Sequence, residues 1–495
     1  MSPLIFKFII FFVLILPFLT SFILVLVPFY MHIVLRFVAL GFASLSLRSS
    51  IFLLIRFDFS SIYFQYILNF EWLLWINLSF TIAIDALSLI FILLTALLIF
   101  TAILHSWYSV VYYVKEYLIC FFILEGILFC VFCISDLLFF YALFEAVLIP
   151  TFLIIGIWGS KLRKLYAAYL FFMYTVAGSV LCFIAILILL LQMASTNYQL
   201  ICFITLAEHK QIIIWLAFFA SFAVKVPRRP FHCWLLEAHS EAPTAGSVRL
   251  AGILLKLGGY AFLRFSVILL PEASIYWSPF IYILSIIAIL YGSLNTLRQI
   301  DIKKAIAYSS IVHRAFVTNG IFSLTYQGIE GAILLRLTHG LISSALFYRI
   351  GFLYDRFKTR FLKYYSNIVS YRPLYSIFFR FFSFANLGFP GTASFVAELL
   401  ILVSLSQISF FLLLFSAVSL FFSAAYSIWI ASRLCFTCNK INYFKAYQDI
   451  TKHEFAVILP LFSFVLYFGF QPLVLSNLLK NYTLVLLDCL QIINL

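Results

Sequence analysis

Six ionisable side chains stand inside long apolar stretches of this sequence. They are two acids, two lysines and two histidines: Glu145, Lys225, Lys256, His313, His339 and Glu398. A charge at the centre of a bilayer costs roughly 3 kcal/mol or more unless it is paired or hydrated. Ionisable groups at such positions are functional candidates for that reason, and we predict that these six form a proton relay.

The chemistry of such a relay follows from the residue types. Burial disfavours the charged form of lysine and of glutamate, whereas a neighbouring opposite charge favours it. A Glu–Lys pair whose separation changes can therefore take up or release a proton. Histidine titrates near neutral pH after small changes in its surroundings, so it suits the steps between such pairs.

Each candidate also has a structural interpretation. A Glu–Lys pair can simply hold two helices together, and buried histidines can be hydrogen-bonded without carrying protons. The secondary candidates are Glu125, Asp136, His232 and His239. The two acids, like Asp85, fit helix ends or packing, and the two histidines fit a solvated loop or the lining of a proton entry.

The composition places these residues in a membrane protein. Hydrophobic residues make up 65% of the 495 residues and charged residues only 10%, too few charges to cover a soluble fold. Nothing near the start resembles a cleavable signal peptide. The net charge of +14 comes mainly from short loops, so nucleic-acid binding is not expected.

Cysteine spacing gives little sign of a metal site. Cys130/Cys133 and Cys435/Cys438 are isolated C-x-x-C pairs, and no metal is expected. The 61 Phe and 29 Tyr residues indicate a T-rich coding strand, which is typical of an AT-rich organellar genome.

Apolar periodicity predicts an all-α polytopic membrane protein with about fourteen transmembrane helices. No linker divides the chain into separate domains. The predicted spans are 4–30, 32–55, 82–105, 117–134, 137–157, 166–192, 211–230, 243–270, 276–295, 304–322, 328–352, 372–400, 407–432 and 455–478.

Loop charges predict the orientation of these spans. Alternate loops carry about sixteen basic residues, including Lys303, Arg360 and Arg372, and the opposite loops about three. The basic loops should face the side of synthesis, with both termini on the far side.

Two of the spans are interrupted by proline. Lys225-Val226-Pro227-Arg228-Arg229-Pro230 breaks the seventh helix and Phe389-Pro390-Gly391 breaks the twelfth, since proline removes a backbone donor. The breaks lie five spans apart, as two inverted five-helix repeats require, and such breaks point to an ion site near mid-membrane. We therefore divide one transmembrane domain, 1–495, into four parts: N-terminal helices 1–110, repeats 117–270 and 276–432, and a C-terminal loop and helix 433–495.

Several motifs resemble those of the antiporter-like membrane subunits of NADH:ubiquinone oxidoreductase, respiratory complex I. They occur in the family's order over roughly residues 80–430 and include Phe144-Glu145-Ala146, Ala223-Val224-Lys225-Val226-Pro227, His239-Ser240-Glu241-Ala242-Pro243-Thr244, Leu254-Leu255-Lys256-Leu257-Gly258-Gly259 and Phe389-Pro390-Gly391-Thr392. The Lys256 motif, the glutamate in span 12 and the chain length favour one branch of this family over its paralogues, subunits 2 and 5.

The resemblance implies an antiporter-like fold in the mitochondrial inner membrane. It implies that Glu145 modulates Lys225, that Lys256 is the central relay and that Glu398 serves the exit side. It also implies that this chain binds no cofactor, while NADH, FMN, iron–sulfur clusters and ubiquinone act elsewhere in the complex. The expected partners are the other membrane-arm subunits, in particular chains 2 and 5, and lipids.

Six arginines depart from the family pattern, which has apolar residues at their positions: Arg228, Arg229, Arg249, Arg314, Arg336 and Arg349. They have three explanations: they snorkel, face a neighbouring subunit or pair with local acids. Two alternatives to this proton-translocating subunit stay open. One is a subunit of a multi-subunit cation/proton antiporter, which shares most of these motifs, and the other is a structural membrane-arm subunit in which the arginines have disabled transport.

Overall fold

The computed structural model describes residues 3–61, 63–73, 78–202, 206–437 and 448–491 of a largely helical chain. The N-terminal part contains two helices, an antiparallel hairpin and a third helix: α1 Pro3–Leu26, α2 His32–Arg56, β1 Gln65–Leu73, β2 Leu78–Ile84 and α3 Ala86–Ser109. The prediction of an all-α chain was therefore wrong for this hairpin. Its strands are rich in Phe, Tyr, Ile and Thr, residues that favour extended backbone.

The next part of the chain contains the first proline break. Its helices are α4 Val114–Cys133, α5 Leu137–Ala146, α6 Leu148–Trp158, α7 Lys164–Met193, α8 Tyr198–Ile201, α9 Glu208–Lys225 and α10 Cys233–Glu241. The seventh predicted span ends at Lys225, and the chain resumes a helix only after both prolines. Helices α5 and α6 together form the fifth predicted span.

The eighth predicted span is irregular, which the sequence did not indicate. It consists of α11 Thr244–Arg249, a π-helical segment Leu250–Leu254, α12 Leu255–Ala261, a second π-helical segment Phe262–Ser266 and α13 Val267–Leu269. Single π-helical turns inside α-helices are often found at functional sites because they shift side chains out of the regular register. Lys256 lies between these two turns.

The C-terminal half contains the second break, where Gly388 and Gly391 have positive φ. The elements are α14 Pro271–Tyr276, α15 Ser278–Arg298, α16 Ile302–Phe322, α17 Tyr326–Phe357, a 3₁₀ turn Leu362–Tyr364, α18 Ile368–Tyr371, α19 Pro373–Leu387, α20 Ala393–Ile408, α21 Phe410–Cys435, α22 Lys452–Phe470 and α23 Pro472–Gln491. Both predicted interruptions are therefore present.

Within the described residues, eleven helical segments are long and apolar enough to cross a membrane. Each predicted span overlaps a helix, a pair of helices or, at 243–270, a series of five short helical segments. Those at 211–230 and 304–322 carry several charged or polar residues, and the one at 372–400 is divided. The chain is a multi-pass membrane protein, while the total of fourteen spans, the inverted repeats and the four-part division stay predictions.

Helix α17 lies at the centre of the bundle. It packs against α16 and α20, and also against α3, α11, α19 and α22. Outer helices such as α1, α7 and α21 instead expose large apolar side chains, as lipid-facing or subunit-facing helices do. The buried ionisable residues of α16, α17 and α20 are therefore shielded from lipid.

A buried ion pair ties the hairpin to the irregular eighth span. Asp85 follows β2 and caps α3 through the backbone N–H of Ser88. Its other carboxylate oxygen lies 2.5 Å from the guanidinium of Arg264, in the second π-helical segment. Because removal of one partner leaves the other charge buried and alone, this pair should matter for stability.

We predict that Asp85→Asn destabilises the chain by about 3 kcal/mol, because it removes the negative charge beside Arg264 while an asparagine still caps α3. The measurement is the fraction of full-length chain that survives a temperature series in a detergent extract of its native membrane. Glu237→Gln is the control, since it breaks a partly exposed pair with Lys304 worth about 1 kcal/mol or less. Equal heat resistance of the two variants would contradict the prediction.

Candidate functional site

Glu145 and Lys225 form an ion pair where two helices end. Glu145 is next to the last residue of α5 and Lys225 is the last residue of α9. Lys225 Nζ lies 3.6 Å from Glu145 Oε1 and donates a hydrogen bond to the backbone carbonyl of Phe144 at 2.6 Å. The ammonium therefore sits at the carboxyl end of α5, where the helix dipole and the unpaired carbonyl groups favour a cation.

Lys256 lies deep inside the bundle and contacts its own helix and α17. Its Nζ donates to the backbone carbonyl of Ala251, in the first π-helical segment, at 2.6 Å. The same Nζ is 3.1 Å from Nδ1 of His339. A proton can pass between these two nitrogens without large movement, because they are already at hydrogen-bond distance.

The contacts continue from His339 to Glu398 through His313. The two imidazole rings have centroids 5.3 Å apart, and His313 Nδ1 is 3.5 Å from Glu398 Oε1. His313, His339 and Glu398 come from α16, α17 and α20. The structure thus brings four of the six predicted relay residues into one buried row.

The break between α19 and α20 makes room for the carboxylate of Glu398. Gly388 has φ +81°, and a Cβ at this position would collide with Glu398 Oε2. Any other residue at position 388 would be strained in this backbone conformation and would also displace the carboxylate. Glycine is therefore required here for two separate reasons.

A small cavity lies between the two groups of charged residues. Its walls include Lys256, His313, His339, Thr318 and Val226, the residue after Lys225. The centre of a water molecule can move within about 20 Å³ of this cavity. A cavity holds one water when this volume reaches about 10–15 Å³. The cavity can therefore hold water next to Lys256, and its wall includes the residue that follows Lys225 in the chain.

The two acids among the secondary candidates lie apart from this row. Glu125 is fully buried in α4 and accepts a hydrogen bond from Ser46 Oγ of α2 at 2.9 Å. Asp136 caps α5 through the backbone N–H of Leu138 at 2.9 Å. It also accepts from Thr196 Oγ1 at 2.6 Å, so both acids have structural contacts.

The interpretation of a solvated loop was wrong for His239. This residue belongs to helix α10, is fully buried and stacks on the ring of Phe347. Lys256, Lys303 and Arg314 are close enough to act on it electrostatically. His232, at the start of the same helix, is half-buried and contacts Tyr291 edge-on.

Five of the six atypical arginines are buried inside the bundle, so snorkelling does not explain them. Arg314 and Arg336 line the cavity, Arg249 lies over the Phe121 ring and Arg349 donates to the Tyr375 carbonyl. Arg228 is also buried. The sixth, Arg229, is half-buried over the ring of Tyr291.

Several buried charges were absent from the candidate set. Arg264 lies inside a predicted span, so the criterion that selected Lys256 would have found it. Lys303 and Arg360 were assigned to loops but are almost fully buried. Lys303 donates to the Ala242 carbonyl at 3.0 Å, and Arg360 lies 3.5 Å from Glu241. Loop position alone does not reveal such burial.

Cysteine pairs provide no metal centre in the described part of the chain. Cys130, Cys133 and Cys435 are free thiols, whereas Cys438 falls outside the described residues. Groups of three or more potential ligands are likewise absent from the ranges that the structure covers.

Comparison with known proteins identifies the family. A family model described as "NADH:quinone oxidoreductase/Mrp antiporter, TM" matches residues 135–452. The chain is 54% identical over 456 residues to NADH-ubiquinone oxidoreductase chain 4 of Chondrus crispus, covering 92% of this chain and 93% of the relative. The chain belongs to the NADH-ubiquinone oxidoreductase chain 4 family. Chain 4 of Marchantia polymorpha is 49% identical over 457 residues, covering 92% of each protein.

A solved structure agrees with this family. The chain superposes on one chain of respiratory complex I from Thermus thermophilus, solved with bound NADH, with a TM-score of 0.88 and 25% identity. The match covers 97% of this chain and 99% of that one. Membership of the chain 4 family thus confirms the resemblance predicted from the motifs, and the fold confirms the antiporter-like architecture.

We predict that Gly388→Ala lowers proton pumping by the complex that contains this chain, because the new methyl group displaces Glu398 from His313. Gly391→Ala is the matched control: Gly391 also has positive φ, at +90°, but a Cβ there meets nothing within 4 Å. Both variants carry a similar backbone penalty of about 1–2 kcal/mol. The measurement is proton uptake per NADH oxidised in membrane vesicles. Equal loss in both variants would show that the contact with Glu398 is irrelevant.

Proposed function

We propose that this chain moves protons across the membrane through the row Glu145–Lys225–Lys256–His339–His313–Glu398. The chain is a membrane-arm subunit of NADH:ubiquinone oxidoreductase with a proton-translocating role. The observation that carries the proposed route is the contact series from Lys256 Nζ through His339 and His313 to Glu398. Four helices, α12, α16, α17 and α20, must meet for these groups to touch, and all four side chains are buried.

The Glu145–Lys225 pair acts in this proposal as the gate of the relay. At 3.6 Å the two charges attract each other by roughly 5 kcal/mol at an effective dielectric constant of about 20. Separating them would remove this attraction, which favours the charged form of both groups. Lys225 is the last residue of α9 and a break follows, so in this proposal its ammonium leaves Glu145 and the Phe144 carbonyl when the helix end shifts.

Movement of Lys225 toward Lys256 would then drive the proton onward. The cavity connects Val226 with Lys256, so an ammonium that enters it repels the proton on Lys256 toward His339. His313 passes the proton to Glu398, which lies beside the second helix break and serves the exit side. Water in the cavity would bridge the steps that exceed hydrogen-bond distance.

The energy for these movements comes, in this proposal, from redox chemistry in other subunits. NADH, FMN, iron–sulfur clusters and ubiquinone would act there, and this chain would bind none of them. We place the chain in the mitochondrial inner membrane, as its eukaryotic relatives suggest. It has membrane-arm subunits as neighbours, among which we propose chains 2 and 5, together with lipids and no nucleic acid.

A structural subunit without transport is the second candidate function. The observation that favours it is the pair Arg314 and Arg336 beside Lys256, since permanent cations make it harder for the lysine to hold a proton. The other alternative is an antiporter subunit, and it shares the description of the family model. The chain 4 relatives favour the oxidoreductase.

We predict that Lys256→Ala lowers the number of protons moved per NADH oxidised in the assembled complex, because it removes the donor to His339. The measurement is proton uptake and NADH oxidation in the same vesicles, after assembly has been checked on a native gel. Lys304→Ala, which removes a partly exposed lysine paired with Glu237, should leave this ratio unchanged. An unchanged ratio in Lys256→Ala as well would favour the structural function.

A further inference from the structure

We propose that the cavity beside Lys256 binds a small monovalent inorganic anion such as chloride. Three cationic side chains from different helices line it: Lys256 of α12, Arg314 of α16 and Arg336 of α17. Their residues are 2%, 5% and 3% exposed. The consequence for pumping rests on the proposed function, whereas the binding of the anion does not.

The guanidinium groups of Arg314 and Arg336 have hydrogen-bond donors that no described residue accepts from. All three nitrogens of Arg314 and all three of Arg336 are buried and lack a hydrogen-bond partner among the described residues. Arg264 has an acceptor in Asp85, whereas Arg228 and Arg249 are buried with three unpaired nitrogens each in the described structure. Arg314 and Arg336 differ from those two because they face the same cavity. A buried cation without a partner is costly, by several kcal/mol or more, so a ligand that accepts hydrogen bonds is expected here.

The charged side chains that line the cavity, Lys256, Arg314 and Arg336, are all basic. None of the described residues that line it is acidic. Glu398, the acid at the end of the relay row, is engaged with His313 at 3.5 Å. Arg314 and Arg336 line the same cavity as Lys256, and their positive charges repel the charge of an ammonium there. One anion would offset this repulsion while leaving Glu398 with His313.

The size of the cavity selects the class of anion. The centre of a water molecule can occupy about 20 Å³ of this cavity, which is enough for one or two water molecules. A halide fits in such a space, whereas sulfate, phosphate or a carboxylate with its carbon chain does not. The unpaired donors are the N–H groups of Arg314 and Arg336, and a halide can accept hydrogen bonds from them.

A bound anion would also change the relay. It would lie among Lys256, Arg314 and Arg336 and keep the lysine protonated beside two permanent cations. Without it, the repulsion from both guanidinium groups opposes the proton on Lys256. Chloride would therefore act as a resident counter-ion that makes a lysine relay compatible with these arginines.

The test measures chloride-36 bound to the purified complex. The double variant Arg314→Leu/Arg336→Leu should lose one bound chloride per complex relative to the wild type, and Arg314→Lys/Arg336→Lys should regain it. Leucine replaces unpaired buried cations, so folding should not suffer. Arg228→Leu is the matched control, because Arg228 is equally buried with three unpaired nitrogens in the described structure but does not line the cavity.

Equal chloride binding in the wild type and the double leucine variant would overturn the proposal. If that variant does not assemble, crystals of the wild-type complex soaked in bromide decide: an anomalous peak between Lys256 and the two arginines supports the site, and its absence refutes it. These outcomes are separate from the relay, because Lys256→Ala can abolish pumping whether or not a halide is bound.

Discussion

The contact between Lys256 and His339 depends on a general constraint: an ionisable group inside a membrane protein must find its partner inside the protein. At 3.1 Å it joins the irregular eighth span to α17, the most central helix. From there the row reaches Glu398 through His313. Helices α16, α17 and α20 therefore have to pack against one another at the level of these side chains. The helix breaks and π-helical turns are the places where the backbone departs from regular α-helix.

The irregular elements all surround this row. The π-helical segments lie on either side of Lys256, the first break follows Lys225 and the second contains Gly388 against Glu398. Each of them changes a side-chain direction that a straight α-helix would fix. Backbone carbonyls contact both lysines: Phe144 near the end of α5 accepts from Lys225, and Ala251 in the first π-helical segment accepts from Lys256. This chain thus places its lysines where the backbone itself can stabilise them.

Much of this could be predicted from the sequence because the signals are local. Apolar length predicted the helices, proline predicted both breaks, and a charge within a span marked the six residues of the proposed relay. The structure places Glu145 with Lys225 and the other four in a row. The hairpin at 65–84 and the π-helical turns were missed because their sequences carry no strong local signal. The burial of His239, Lys303 and Arg360 depends on what packs over them, which no short motif contains.

The cationic surroundings of the relay set a limit on how it can work. Arg314 and Arg336 stand beside the central lysine, so the charge balance of the cavity decides whether Lys256 can carry a proton. Water or an anion must supply the hydrogen-bond acceptors that the side chains around Arg314 and Arg336 do not provide. In either case the interior has to be wet between the Glu145–Lys225 pair and Lys256, because Val226 and the cavity lie between them.

The most direct test is a high-resolution cryo-EM map of the isolated complex, with ordered solvent traced inside this subunit. Our account predicts ordered density that runs without interruption from Lys225 past Val226 to Lys256, and on beside His339 and His313 to Glu398. Dry packing between Lys225 and Lys256, in both resting and turning-over complex, would contradict it.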